Sequence, residues 1–263
     1  MRPEMPKELT PAPSKNSRIV YGNKPTRTPY GLQVIEGCVT CPVHKERLFC
    51  NLPALVLERL DAISSVASYP AGAVLFVEGQ EPRGIFIICN GRVKLSGASA
   101  KGKSLIFRIA EAGEIIGLPG TLSAKPYELT AEALEPTQAN FIARQEFLAF
   151  LRQNGEAALR VAEILSTIYH TTCQEMRYLG LSRSAAEKLA RFLLDATAAQ
   201  DHENGPLRAT VTLTHEEIGE MIGASRETVT RLFANFKRKQ YIEVHGSSLL
   251  IKNPLALQEI LGM

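Results

Sequence analysis

Residues 213–231 read Leu213-Thr214-His215-Glu216-Glu217-Ile218-Gly219-Glu220-Met221-Ile222-Gly223-Ala224-Ser225-Arg226-Glu227-Thr228-Val229-Thr230-Arg231. Thr214 stands three residues before Glu217, the spacing of a capping box: its hydroxyl can accept from the Glu217 amide while the Glu217 carboxylate reaches back. A helix is therefore predicted from 215 to Ile222, where Gly223 supplies the left-handed conformation that ends it. Ser225 then caps a second helix, Arg226 to about Lys239, with Val229, Leu232, Phe233 and Phe236 on its inward face. Two short helices joined by a tight glycine-containing turn make a helix-turn-helix. Downstream, 241–251 read as two strands about a turn at 245–248, which adds a wing. Upstream, a helix over 184–199, a polar loop over 200–206 and a short strand over 209–213 open the same unit.

A helix laid in the major groove of a duplex presents its first turns to base edges. The outward residues of this one are Arg226, Glu227, Thr230 and Arg231, with Ser225 and Thr228 in the same opening turn. Arginine can donate twice to guanine, and glutamate can accept from the amine of cytosine. Glu227 could equally serve the helix dipole. Lys237, Arg238 and Lys239 lie further along and suit phosphates, which add affinity without sequence information. From 226 to 239 five cations face a single anion, whereas the whole chain of 263 residues carries a formal charge of only +3. The distribution therefore carries the information, although such a run also describes an ordinary solvated helix face.

Before this unit, a long helix from about 155 to 179 repeats Val161, Leu165, Ile168, Thr172 and Leu179, with Glu175 completing steps of four and three. That is the seam of a two-stranded coiled coil; the alternative is a helix packed on its own barrel. A hinge is predicted at 180–182. Further upstream, from Tyr69 to about Phe147, short β-rich runs recur at 74–77, 85–88, 93–95 and 105–107 with glycines between them, the pattern of a sandwich or barrel. A helix-like stretch covers 52–66, with Leu55, Leu60 and Ile63 on one face. Residues 1–35 hold six of the 15 prolines and read as a disordered tail. The domains expected are 1–35 tail, 36–150 cysteine segment and barrel, 151–181 dimerisation helix, and 182–263 winged helix-turn-helix.

The motif at 213–231 is similar to the DNA-binding motif of the Crp/Fnr family of bacterial regulators. The resemblance extends over about 50–255, through Gly72 to Leu95, Gly113 to Gly117, the long helix and the wing. It implies an α+β chain: an N-terminal double-stranded β-helix (jelly-roll) barrel of cyclic-nucleotide-binding type, a dimerisation helix and a winged helix-turn-helix. It further implies that Arg226, Glu227 and Arg231 read bases, that the operator is an inverted repeat in double-stranded DNA bound by a homodimer, and that RNA polymerase is a partner. Family members that bind cyclic nucleotides carry a Gly-Glu pair and, about ten residues later, an Arg-Ser pair. Here those positions read Gly117-Leu118 and Glu128-Leu129, and an acid in place of the arginine repels phosphate, which argues against cyclic AMP.

Five cysteines, an odd number with no export signal, point to free thiols or metal ligands rather than a disulfide framework. Cys38-x2-Cys41, with Cys50 beyond and His44 between, resembles the iron–sulfur region of the family's oxygen-sensing branch. The gap from Cys41 to Cys50 is longer than in that branch, and Asn140 stands where its fourth cysteine would be. His44 could complete a set with the three thiols, which suits zinc as well as an iron–sulfur cluster; a thiol switch or no metal are the other readings. Cys89 and Cys173 read as structural. No nucleophile elbow, phosphate-cradling loop or HExxH pair is present, which argues against an enzyme. With no apolar run of membrane-spanning length or signal peptide, a cytoplasmic location without membrane association is expected.

Overall fold

The computed structural model describes residues 30–32, 34–41, 44–99, 102–181, 184–198 and 207–261. The expected tail at 1–29, the loop at 200–206 and Ser182 of the expected hinge lie outside the described residues. The tail reading also reaches too far. Gln138 clamps the backbone of Ile35, accepting from its amide at 2.8 Å and donating to its carbonyl at 2.7 Å, so the chain is docked there.

A short 3-10 turn, His44–Glu46, leads to helix α1, Ala54–Ala62. Leu57 and Leu60 are its buried residues; of the face expected, Leu60 and Ile63 turn to the core, whereas Leu55 is 71% exposed. The helix ends earlier than the sequence suggested because strand β1, Ser64–Tyr69, follows at once. Seven further strands build the sensor unit: β2 Val74–Phe76, β3 Gly84–Asn90, β4 Val93–Ala98, β5 Ser104–Ala110, β6 Ile115–Ile116, β7 Thr130–Ala133 and β8 Thr137–Ala143, with helix α2, Leu118–Ser123, between β6 and β7. They form two antiparallel four-stranded sheets, ordered β1-β8-β3-β6 and β2-β7-β4-β5, the jelly-roll arrangement expected of the barrel.

Helix α3, Arg144–Gln153, and helix α4, Gly155–Leu181, then leave the sheets. Ala157 and Val161 of α4 join the buried cluster formed by Leu57, Leu60, Ile85 and Phe147, with Ile164 and Leu165 packed against it. This face therefore supports the subunit's own sensor core. The C-terminal unit comprises helix α5 Ala185–Ala198, strand β9 Arg208–Thr210, helix α6 His215–Ile222, helix α7 Arg226–Arg238, strands β10 Ile242–His245 and β11 Ser248–Ile251, and helix α8 Pro254–Ile260. A β10-β11-β9 sheet forms the wing, and Leu189, Leu193, Ile218, Val229 and Phe236 fill the core. The two units touch where α6 packs against β5, and the Lys103 ammonium donates to the Gly223 carbonyl at 3.4 Å. No helix among the described residues is long and apolar enough to cross a membrane.

Candidate nucleic-acid interface and thiol pocket

The helix-turn-helix is assembled by local chemistry. The Thr214 hydroxyl accepts from the Glu217 amide at 3.2 Å, and the Glu217 carboxylate accepts from the Thr214 amide at 2.7 Å, so the capping box forms as expected. Gly223 closes α6 at φ 68°. Gly219 is needed for a different reason: a Cβ there would meet the Ala224 carbonyl oxygen at 2.7 Å, so only glycine lets the turn pass this close. The Ser225 hydroxyl accepts from the Thr228 amide at 3.3 Å and starts α7.

Val229, Phe233 and Phe236 of α7 are buried, which fixes the helix roll and leaves Arg226, Glu227, Thr230 and Arg231 exposed along the opposite side. Ser225 is exposed and Thr228 half-buried, their hydroxyls 3.2 Å apart. Lys237, Arg238 and Lys239 are exposed at the far end, with the Lys239 ammonium 5.6 Å from the Tyr241 ring centroid. Hydrogen bonds from its own amide and from Ser225 hold the Glu227 carboxyl below its ordinary range, so it is an acceptor at neutral pH.

One residue of this surface escaped the sequence reading. His215, on α6, places Nδ1 2.9 Å from the Thr230 hydroxyl and stacks on Phe233 with centroids 4.8 Å apart. Desolvation, then Lys237 and Arg226, push its titration below the ordinary histidine value, so it is a neutral strut between the two helices. The i to i+15 link spans two elements, and no local pattern signals it.

The long helix carries two apolar faces, and the expected seam runs along one of them. Val161 is buried in its own subunit; Leu165 and Ile168 are half-buried, Thr172 is exposed, and the Leu179 side chain lies outside the described residues. Glu175 is half-buried, and desolvation pushes its carboxyl up. On the other side Leu159, Tyr169 and Met176 are 60–69% exposed. With Ala162, Ser166 and Cys173 they recur in steps of three and four.

In the sensor unit, Tyr127 occupies the space beside Gly117. Its hydroxyl donates to the Gly84 carbonyl at 2.6 Å, and its ring stacks on Phe76 at 4.1 Å. Glu128 is exposed and Leu129 half-buried. A cavity of about 350 Å³ beside it is lined mainly by the rings of Tyr69, Phe76, Phe86, Tyr127 and Phe141, with Arg83 at its edge.

At the other end of the same sheets, a pocket gathers Cys38, Cys41, Cys50, Cys89, Arg47 and Asn140. The Asp61 carboxylate accepts from the Cys38 amide at 2.9 Å through both oxygens, fixing the segment on α1. Asn140 donates to the Cys38 sulfur at 3.8 Å, while its own Oδ1 is buried without a partner. Nε of Arg47 is likewise buried and unpartnered. The arginine crosses Gly113, where a Cβ would lie 2.2 Å from its Cδ. His44 also lines the pocket, and its Nδ1 is 2.7 Å from the Cys41 carbonyl. Burial pushes the Cys38 thiol up and those of Cys50 and Cys89 up to about 11 and about 12, so all three are protonated at neutral pH until an electrophile takes the protons' place. Among the described residues no three histidine, cysteine or acidic side chains converge on a single-ion geometry. Cys89, expected to fill the core, instead borders this pocket.

Two family models match the chain: the cyclic nucleotide-binding domain over residues 66–154 and the Crp-like helix-turn-helix domain over 187–260. The chain is 25% identical over 185 residues, 70% of its length and 83% of the relative's, to the CRP-like cAMP-activated global transcriptional regulator of Mycobacterium tuberculosis. Over 228 residues, 86% of the chain and 90% of the relative, it is 25% identical to the fumarate and nitrate reduction regulatory protein of Vibrio cholerae. A CooA mutant from Carboxydothermus hydrogenoformans shares the fold with a TM-score of 0.67 at 23% identity, covering 80% of this chain and 93% of that one.

Proposed function

Because the chain belongs to the Crp/Fnr family of bacterial transcription regulators, we propose that it acts as a homodimer reading an inverted repeat in double-stranded DNA, under redox control from its cysteine pocket. The observation that carries the DNA half is the roll of α7: three buried apolar residues oblige Arg226, Glu227, Thr230 and Arg231 to face outward together. In a major groove the two arginines donate to guanine edges and Glu227, already a carboxylate, accepts from cytosine. His215 fixes the Thr230 hydroxyl and so the rotamer presented there. Lys237, Arg238 and Lys239 would lie over phosphates.

The dimer pairs through the exposed stripe of α4, Leu159, Ala162, Ser166, Tyr169, Cys173 and Met176, because the 161/165 face is engaged in its own subunit. A paired α4 sets the spacing of the two recognition helices, and the α6–β5 contact gives each sensor unit a direct hold on its own helix-turn-helix. RNA polymerase and a cytoplasmic setting follow from the same reading.

Redox or oxygen is favoured over cyclic AMP as the signal. The corner beside Gly117 is filled by the Tyr127 ring, and Glu128 stands where the arginine of cyclic-nucleotide binders would, whereas the thiol pocket has the soft donors that an iron–sulfur group takes. Cys38, Cys41 and Cys50 would hold such a group, which supplies an oxygen-labile tie between the 37–50 segment and the sheets. His44 has one ring nitrogen engaged with the Cys41 carbonyl.

The test is a band shift with the air-free chain and a duplex carrying a selected inverted repeat. A retarded complex of two chains per duplex, weakened by Arg226→Ala, is expected; equal retardation of random DNA would favour a non-specific DNA-binding protein.

A further inference from the structure

We propose that Cys89 of β3, rather than His44 or Asn140, supplies the fourth thiolate of the pocket, and that Arg47 is its counter-charge. The proposal rests on the iron–sulfur reading above and names the ligand set that reading leaves incomplete.

Three observations place it. First, β3 has an irregularity between Ile88 and Asn90, in its pairing with β8, and Cys89 is the residue at that break. A regular strand would continue the alternation that buries Ile85 and Ile87 in one cluster and Phe86 and Ile88 in the other. Residue 89 stays on the side of Ile85 and Ile87, where Cys38 and Cys50 also lie, and the break leaves it out of the ladder with β8; its sulfur lines the pocket and donates only a long contact, 3.7 Å, to the Ile87 carbonyl. Second, Asn140 sits across the same pair of strands, 97% buried by its 3% exposure, and leaves Oδ1 unpartnered in the pocket. An orphaned acceptor inside an otherwise apolar wall marks space meant for a donor or an occupant. Third, Arg47 buries an unpartnered guanidinium nitrogen at the same place, and Gly113 is kept free of a side chain to let it through. A buried N–H of a charged group left without an acceptor is costly. Four thiolates around an iron–sulfur core carry net negative charge, which would satisfy it; each thiol gives up its proton to solvent as its sulfur binds iron.

His44 is the weaker candidate because it lies on the same segment as Cys38, Cys41 and Cys50. A fourth ligand from that segment would not join it to the sheets, whereas Cys89 would cross-brace segment and strand through the metal.

The experiment reconstitutes the full-length chain under argon with iron salts and sulfide, then measures iron, sulfide and zinc per chain and the visible spectrum. Wild type and His44→Ala should load equally, while Cys89→Ala should lose iron as fully as Cys38→Ala. Moving the thiol across the strand pair, Asn140→Cys in the Cys89→Ala chain, should restore loading, which also shows that the Cys89→Ala chain folds. Full loading of Cys89→Ala with loss in His44→Ala would overturn the assignment and leave the iron–sulfur reading standing. A wild-type chain that takes neither iron nor sulfide would overturn that reading and the assignment with it. Zinc bound in a Cys89-dependent manner would support the four-thiolate set and overturn the cluster.

Discussion

At the scale of single residues the surface of α7 divides into groups that should behave differently. Arg226→Ala or Arg231→Ala is expected to cost about 1–3 kcal/mol at the cognate site and to relax preference at one base position, measured by anisotropy titration of a panel of single-base variants. Lys237→Ala should instead weaken cognate and random duplexes alike and flatten the salt dependence. His215 gives a pH prediction. Its titration is depressed in the folded chain, so the unfolded chain binds the proton more readily. The contribution of this residue is therefore complete above the ordinary histidine value of about 6.5 and is lost as pH falls below it. Thermal melts from pH 7.5 to 5 should show a decline that His215→Gln removes; an unchanged decline would assign it elsewhere. These residues differ in how far the sequence revealed them. Arg226, Glu227 and Arg231 follow from capping and helical period. His215 and Cys89 do not, because the partner of His215 lies 15 positions away and the pocket that Cys89 borders is closed by Cys38, Cys41 and Cys50, distant in the sequence.

Among the elements, α4 is where local pattern was least decisive. A helix apolar on two sides offers two 3–4 repeats, and only the position of the sheets tells which is used inside the subunit. The consequences are separable. Val161→Ala should destabilise the folded subunit by about 2 kcal/mol, because its side chain is buried there, and leave the dimer intact. Tyr169→Glu or Met176→Glu should instead dissociate the dimer with little loss of secondary structure, read by sedimentation. In a parallel pair Cys173 faces its own copy, so mild oxidation with a disulfide reagent should cross-link two chains, and Cys173→Ser should not. No cross-link, together with dimers surviving Tyr169→Glu, would return the seam to the 161/165 face. Strands β2 to β5 were legible because their β-branched and aromatic runs alternate between glycine turns. β1 was not. Ser-Ser-Val-Ala-Ser-Tyr has no apolar alternation and becomes a strand because β8 pairs along its whole length. β8 carries buried Gln138 and Asn140, polar residues whose places depend on the incoming 35–41 segment and the pocket.

For the whole molecule the two ends of the account are a thiol pocket on one side of the sensor and an exposed recognition helix at the other end of the chain. They are joined by α4 and by the contact of β5 with α6. If the pocket governs the spacing of the paired helices, DNA affinity should change when the air-free chain is exposed to air or a chelator, and Cys38→Ala should fix the chain in one state. Identical affinities under all conditions would remove the redox half and leave the DNA half intact.

That DNA half is the central claim, and selection from a random-sequence duplex pool tests it most directly. The account predicts that bound sequences converge on an inverted repeat with half-sites about one helical turn apart, and that Arg226→Ala loses one defined base in each half-site. Convergence on a single unrepeated site, or no convergence at all, would contradict it.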